Sequence, residues 1–195
     1  FNMDELFFSI TKKDSTIISG NETFVRISEY ESQEIIGKPH NIVRHPDMPK
    51  FIFKTVWSYL KADKPVVGYI KNKTKSGTYY WVIAAVFPIE DRYLSIRIKP
   101  STQLFESVVG IYSKVLKEQK ISGMDKSGYV LLEELKKIGF DGYDSFMRQA
   151  LLSELLERKG KVSKIQSTNL VTSENSSEIE PLYNISRSLL DEYSK

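Results

Sequence analysis

The sequence contains no cysteine and has only two histidines and two tryptophans among 195 residues. The absence of cysteine excludes disulfide bonds, thiolate metal ligands and cysteine nucleophiles, so any redox chemistry must belong to a bound cofactor. No run of 18 apolar residues occurs, and the first residues lack the basic start and apolar stretch of a signal peptide. We therefore expect a cytoplasmic protein with no direct membrane insertion of this chain.

A large excess of one charge is also missing. Residues 1–100 carry 15 Lys and Arg against 11 Asp and Glu, residues 101–195 carry 13 against 14, and the net charge is +3. Neither half has the concentrated basic charge that binding to nucleic acid or to an anionic membrane requires. The hydrophobic fraction of 41% is sufficient for the core of one domain and an additional segment.

Residues 7 to about 98 are rich in strand and turn patterns. The string "STIISGN" indicates a short strand, and "TFVRIS" alternates apolar and polar residues as a strand does. Ser32 precedes a one-turn helix that Gly37 and Pro39 end. Three further strands are predicted over "VVGYIKNKT", "TYYWVIAAVFPI" and "RYLSIRIK", and the turns "KSG" and "EDR" join them into an antiparallel meander.

An amphipathic helix is predicted over residues 49–62. Its apolar stripe consists of Ile52, Phe53, Val56, Trp57 and Leu60. An aromatic stripe of this kind is typical of a hydrophobic core, and it also suits a flat aromatic cofactor. The spacing of the residues does not separate these two interpretations. On the strand that contains Trp81, the alternation predicts that one of Tyr79, Tyr80 and Trp81 lines the interior and that the other two do not.

Arg44, His45 and Asp47 lie between two prolines just ahead of this helix. The residue types alone favour a stiff helix entrance, in which the carboxylate of Asp47 caps the helix. Arg44 also brings a planar fork of donors that suits a phosphate or a carboxylate. Asn21 and Asn72 are most simply turn or edge residues, and their amides can also bind the edge of a heterocycle.

No metal site is predicted. Residues 125–135 follow half of a calcium-loop pattern, but Val130 stands at the position where glycine is required. His40 and His45 have neither the spacing nor the partners of a zinc site.

The pattern becomes helical beyond Pro100, and we expect a helical segment over 101–166. Its main helices are predicted over "TQLFESVVGIYSKVLKEQK" and "DSFMRQALLSELLERKG", the second ending at Gly160, with a shorter helix between them. A polar linker over 167–179 leads to a last helix over 180–195. A hairpin or bundle of this kind can serve dimerisation or signal output.

From Thr16 to Lys99 the sequence resembles the PAS sensor domains of the bacterial aerotaxis receptor family. The distinctive strings are "PHNIVRHPDMPK" and "KSGTYYWVIAAVFP". The resemblance implies an α+β fold in which residues 1–100 form a PAS domain, a five-stranded antiparallel sheet with short helices on one face, followed by the helix-rich segment. The resemblance ends near Pro100.

The resemblance also implies a non-covalently bound FAD whose redox state is relayed to a signalling partner, without enzymatic turnover. The partner would be a chemotaxis receptor or a HAMP or other signalling domain, in the same chain or in another, and we expect a homodimer. Any association with a membrane would then depend on that partner or on a further segment of chain.

The residues that match the family's flavin pocket are Asn21, Arg44, His45, Asp47 and Trp57, and weaker matches are Phe53, Asn72 and Trp81. Asn21 and Trp57 would sense the ring, and Arg44 and His45, oriented by Asp47, would hold the anionic part of the cofactor. The sequence departs from the family where "PWxG" is "PVVG" at 65–68 and "KNR" is "KNK" at 71–73. Val66 therefore replaces a tryptophan near the pocket, which bears on FAD affinity and not on the fold.

Two alternatives keep the PAS fold. In the first, the ligand is a heme, with His45 as the axial ligand, or a small metabolite. In the second, the domain holds no cofactor and serves only dimerisation or docking.

Overall fold

The computed structural model describes residues 1–168, with side chains through residue 160. Its contacts divide the chain into one unit over Phe1–Val162 and another over Ser163–Lys195, and the features below belong to the first, apart from the last residues of the final described helix. The expected C-terminal helix at 180–195 lies outside the described residues, as does all of the expected linker at 167–179 except its first two residues.

Five antiparallel strands form a single sheet in the order β2-β1-β5-β4-β3. The strands are β1 Leu6–Lys12, β2 Ile17–Gly20, β3 Val66–Lys73, β4 Tyr79–Ile89 and β5 Arg92–Ile98. The period-two alternation of these strands gives the sheet two distinct apolar faces. The sheet and its β3–β5 meander confirm the fold class expected from the sequence.

Short helices between β2 and β3 cover one face, called here the inner face. They are α1 Glu22–Ser28, α2 Ser32–Ile35, a 3-10 helix His40–Val43 and α3 Lys50–Lys61. Phe24, Ile35 and Val43 from these helices pack in one core cluster with Val82 of β4. The inner face is therefore the helix-covered face that the PAS resemblance implied.

The segment "TFVRIS" is helical in α1, so the strand predicted there was wrong. Oδ1 of Asn21 accepts a hydrogen bond from the Phe24 N–H at 3.2 Å and so caps the first turn. Phe24 is 1% exposed, and its ring stacks on Phe7 of β1. The cap and the burial of Phe24 stabilise a helix here. An apolar-polar alternation over only six residues is weak evidence for a strand, because a short helix can show the same pattern.

Helix α3 has the predicted apolar stripe, with Ile52 and Leu60 buried. The predicted cap by Asp47 was wrong, because Pro49 holds the N-cap position and Asp47 binds Lys71 instead. The acceptor at this helix start comes from elsewhere in the chain. Oε1 of Gln119 accepts hydrogen bonds from the N–H groups of Lys50, at 2.7 Å, and Phe51, at 3.4 Å.

The C-terminal helices are α4 Gln103–Ser122, α5 Met124–Lys137 and α6 Tyr143–Thr168. Helices α4 and α6 pack against the other, outer face of the sheet, where the ring of Tyr69 contacts Phe105 and Phe146. Helix α6 continues past Gly160, where the sequence predicted its end. Within residues 1–168, no helix combines the length and apolar composition needed to cross a bilayer.

Candidate functional site

A cavity of about 220 Å³, the inner cavity, lies between α3 and the inner face of the sheet. One wall consists of Phe53, Val56, Trp57 and Leu60 of α3. The opposite wall consists of inward-facing strand residues: Thr11, Val66, Gly68, Ile70, Asn72, Ala84, Val86, Tyr93, Ser95 and Arg97. Ser15, His40, Asn41 and Arg44, from the loops and the 3-10 helix, complete the lining.

A second, more open hollow, the outer depression, adjoins the inner cavity and measures about 580 Å³. It is lined by Asn41, Arg44, His45, Pro46, Met48, Lys50, Lys73 and Gln119. The two spaces share Asn41 and Arg44. The two spaces are therefore adjacent at these two residues.

The lining of both spaces is cationic. Arg44 and Arg97 line the inner cavity, and Arg44, Lys50 and Lys73 line the outer depression. Neither lining contains an aspartate or a glutamate among the described residues. Such a lining favours a ligand that is anionic or presents electron-rich edges.

Arg97 places a buried positive charge at the inner cavity. It is 5% exposed, Nη1 donates to Oγ of Ser9 at 2.9 Å, and Nη2 lies 2.7 Å from Nε2 of His40. A guanidinium can only donate, so Nε2 of His40 accepts and the ring is neutral. Burial, and then the charge of Arg97, lower the pKa of His40 to about 3. Burial lowers the pKa of Arg97 to about 10, and the guanidinium stays charged at neutral pH.

Ser95 contributes an unpaired hydroxyl to the same wall. It lies two residues before Arg97 on β5, is 5% exposed, and its Oγ has no hydrogen-bond partner within the described part of the chain. An unpaired buried hydroxyl costs about 1–3 kcal/mol. Such an atom facing a cavity indicates a place where a ligand can supply the partner.

Trp57 and Phe53 give the α3 wall its flat aromatic surface. The ring of Trp57 packs edge to face with Tyr93 of β5, with 5.9 Å between centroids. The guanidinium of Arg44 lies over the ring of Phe53, 3.8 Å from its centroid. This stacking holds Arg44 at the border between the two spaces.

His45 lines the outer depression and does not line the inner cavity. Its Nδ1 accepts from the backbone N–H of Asp47 at 3.1 Å, and its ring packs against Tyr79. Burial, and next the charge of Lys71, lower the pKa of His45. Asp47 lines neither space and lies 3.2 Å from Nζ of Lys71, a hydrogen bond that lowers the pKa of this carboxyl.

Asn21 and Trp81 lie away from both spaces. The amide of Asn21 is used by backbone groups, because it donates to the Leu6 carbonyl and accepts from the N–H groups of Phe8 and Phe24. Trp81 belongs to the outer face, where its ring contacts Phe105 and Tyr112 of α4.

Four of the eight residues proposed from the sequence thus line the inner cavity, namely Arg44, Phe53, Trp57 and Asn72. The sequence analysis missed His40, Ser95 and Arg97. One signal was available for Arg97, since the alternation of "RYLSIRI" puts this charge on the same strand face as Tyr93. An inward-facing charge on a central strand is rarely solvated and so points to function.

The site accommodates a flat aromatic group better than a metal. The inner cavity is somewhat smaller than the roughly 300–1,000 Å³ typical of small-molecule sites, so it suits one ring system. The aromatic wall, the unpaired Ser95 hydroxyl and the Arg97 charge fit the ring of a flavin, and the basic outer depression fits its phosphates. Among the described residues, no cluster of three or more His, Asp or Glu could hold a metal ion.

A family model described as a PAS fold matches residues 17–96. These residues run from β2 into β5 and include every helix that covers the inner face. They form a PAS domain. The unit of this chain that contains the inner cavity is thus built around a PAS domain, as the sequence resemblance indicated.

Two relatives extend the comparison. The aerotaxis receptor of Escherichia coli (strain K12) is 38% identical over 133 residues, which are 66% of this chain and 26% of the receptor. A blue-light-activated histidine kinase of Brucella anthropi is 28% identical over 114 residues, which are 58% of this chain and 23% of the kinase. The first match supports a PAS domain of the aerotaxis-receptor family. The chain spans about a quarter of the length of these relatives.

The match to the aerotaxis receptor also corrects one expectation. A match over 66% of the chain is longer than residues 1–100, so the similarity continues into the C-terminal helices and does not end near Pro100. Among solved structures, a light-oxygen-voltage domain studied with a flavin analogue has a TM-score of 0.50 and 17% identity, covering 54% of this chain and 85% of that domain. This likeness supports the fold alone.

Proposed function

We propose that this protein is a redox-sensing or oxygen-sensing domain that binds FAD non-covalently and relays the redox state of the FAD to a chemotaxis-type signalling partner. One observation carries the proposal. A ring-sized cavity with an aromatic wall and a buried cation lies beside a basic depression, and Arg44 and Asn41 line both. The relationship to an aerotaxis receptor gives this chemistry a biological context.

The residues divide between the two parts of the cofactor. Trp57 and Phe53 would pack against the ring, while Asn72 and Ser95 would supply polar groups to its edge. Arg44, Lys50 and Lys73 would attract the phosphates, and His45 lines the same depression. A phosphorylated flavin such as FAD is favoured over riboflavin, because riboflavin has no phosphate to pair with the basic residues of the outer depression.

A bound flavin supplies a ring whose charge and hydrogen-bonding character change on reduction. Side chains bonded to that ring must then find new partners or lose their bonds. Asn72 and Ser95 are suited to respond, because both are buried on the sheet wall of the inner cavity. The proposal requires no substrate turnover, so we assign no catalytic residue and regard the domain as a sensor and not an enzyme.

The route from the inner cavity to the rest of the molecule runs through α3. Its residues form the aromatic wall, and its first two N–H groups are bonded by Gln119 of α4. Lys54 of α3 also pairs with Asp125 of α5 at 2.6 Å. A shift of α3 on reduction would therefore pull on the C-terminal helices, which we propose as the output element and dimerisation surface of a cytoplasmic homodimer.

The heme alternative receives less support from the geometry. Its proposed axial ligand, His45, lines the outer depression, and Nδ1 of that ring is engaged by a backbone N–H. The metabolite and docking alternatives predict a protein without flavin absorbance, which the following experiment tests.

The experiment is a visible spectrum of the purified full chain, followed by acid release and mass analysis of the ligand. The proposal predicts bands at about 370 and 450 nm and a released mass equal to FAD, because the spectrum is set by the cofactor's own electronics. A Soret band would establish the heme alternative. A colourless protein that also fails to take up added FAD would reject flavin binding altogether.

A further inference from the structure

Arg97 is a buried cation that this molecule does not neutralise within its described residues. Its guanidinium is 5% exposed and hydrogen bonds to two neutral groups, Oγ of Ser9 and Nε2 of His40. No carboxylate of residues 1–160 forms an ion pair with it. Burial of an unpaired charge is costly, so a side chain of this kind is retained only where the charge is used.

Packing alone does not account for the charge. The rings of Phe7 and Phe24 lie 5.8 and 5.7 Å from the guanidinium, which gives partial compensation through cation–π contacts. The bonds to Ser9 and His40 use two of the five N–H groups of an arginine. Tyr80 of β4 also lies close enough to interact with this charge, and its buried hydroxyl is neutral and has no hydrogen-bond partner among the described residues. Beyond these groups the guanidinium meets the inner cavity, which it lines together with the unpaired Ser95 hydroxyl.

We propose that Arg97 selects the charge of the ligand: it faces a negatively charged or electron-rich edge of the bound ring and favours the electron-rich, reduced form of the cofactor. This inference rests on the proposed binding of FAD. His40 has a positioning role, because its neutral Nε2 accepts from the guanidinium and holds it at the wall of the cavity. Ser95, on the same face of β5, offers a second polar group to the same edge.

The test compares Arg97→Gln, Arg97→Lys and Arg92→Met with wild type, all as full-length chains. Glutamine keeps a donor and removes the charge, and lysine keeps the charge and removes the fork. Arg92 is the matched control, because it lies on the same strand with an exposed side chain and pairs with its neighbour Asp91. The readouts are the urea midpoint of the FAD-free protein and the two-electron midpoint potential of bound FAD.

Without FAD, we expect Arg97→Gln to be at least as stable as wild type, because it removes an unpaired buried charge. With FAD bound, we expect the affinity for reduced FAD relative to oxidised FAD to fall at least tenfold in Arg97→Gln. That loss lowers the two-electron potential by about 30 mV. Arg97→Lys should retain most of the wild-type potential, and Arg92→Met should leave both readouts unchanged.

Three results would overturn the assignment. They are a large loss of stability of FAD-free Arg97→Gln, equal potentials in Arg97→Gln and wild type, and loss of FAD from both Arg97→Gln and Arg97→Lys. Loss of FAD from Arg97→Gln alone would support the role of the charge. If wild type itself binds no FAD, the proposed function fails, and the urea comparison still decides whether Arg97 is a structural cation.

Discussion

Nη2 of Arg97 lies 2.7 Å from Nε2 of His40, with the arginine on β5, the central strand of the sheet, and the histidine at the start of the 3-10 helix. Arg97 is always charged, and His40 accepts its hydrogen bond only while the imidazole is neutral. Protonation of His40 would therefore break this hydrogen bond in the wall of the inner cavity.

The first prediction concerns pH. The folded-state pKa of His40 is lowered to about 3 from its ordinary 6.5, so between these values the unfolded chain binds a proton that the folded chain does not. The contribution of neutral His40 to stability is present above pH 6.5 and is lost as the pH falls. Between pH 7 and pH 5 this loss amounts to about 2 kcal/mol.

Urea unfolding of wild type and His40→Gln at both pH values measures this loss. Glutamine does not titrate, so the variant should lose about 2 kcal/mol less than wild type between the two pH values. His45→Gln is the control, since it leaves His40 in place and should retain most of the wild-type loss. Equal losses in wild type and His40→Gln would show that His40 is not held neutral.

The second prediction concerns Glu154 of α6, which is fully buried. Its carboxylate accepts hydrogen bonds from Oη of Tyr69 at 3.0 Å and Oγ1 of Thr102 at 2.7 Å, and from the Ser101 N–H at 2.8 Å. Glu154→Ala removes the acceptor of the buried Tyr69 hydroxyl and of the half-buried Ser101 and Thr102 donors, so we expect a loss of about 3 kcal/mol in urea unfolding. The control is Glu133→Ala, which breaks an exposed pair with Lys136 and should cost below about 1 kcal/mol. Equal effects would mean that the buried network does not hold α6 to the sheet.

The third prediction concerns Gln119, which caps α3 from α4. Gln119→Ala removes the acceptor for the N–H groups of Lys50 and Phe51, and we expect a loss of about 1 kcal/mol. Amide hydrogen exchange should accelerate in the first turn of α3. Gln103→Ala, an exposed glutamine on the same helix α4, is the matched control and should leave α3 protected. If amide exchange in α3 were unchanged in Gln119→Ala, the proposal that α3 transmits the signal to the C-terminal helices would be contradicted.

The fourth prediction concerns Arg44 at the border of the two spaces. If the outer depression holds phosphates, Arg44→Ala should weaken FAD binding by about 10- to 100-fold, the value of a charge-assisted hydrogen bond. Binding of riboflavin, which has no phosphate, should weaken much less. Fluorescence titration with both ligands measures this difference, with Arg92→Ala as the control. An equal loss for the two ligands would mean that Arg44 supports only the ring.

Much of the fold was predictable because local patterns and tertiary packing agree. The alternation of "TYYWVIAAVFPI" and the turn "KSG" predicted β4 and its hairpin, and the stripe around Trp57 predicted α3. The strand predicted around Phe24 was wrong because the Asn21 side chain caps a helix there. The alternation of apolar and polar residues contains no information about this hydrogen bond.

The site was only partly predictable, because it depends on which face of a strand meets the helices. Trp81 and Tyr80 are neighbours in sequence, and only the alternation after folding turns Tyr80 inward and Trp81 towards α4. His40 and Arg97 are 57 residues apart. Their pairing depends on backbone contacts of Pro39 and His40 with Thr16 and Ser15, which hold the histidine beside the β1–β2 hairpin, and on the pairing of β1 with β5. No local pattern in the sequence indicates such a contact.

The two tryptophans of this chain lie on opposite faces of the sheet, and they provide the most direct test of the central claim that the inner cavity binds FAD. The measurement is the absorbance at about 450 nm per mole of purified Trp57→Leu and Trp81→Leu. We predict that Trp57→Leu loses most of its flavin while remaining folded by circular dichroism, and that Trp81→Leu keeps it. Full flavin occupancy in Trp57→Leu, or loss confined to Trp81→Leu, would contradict the account.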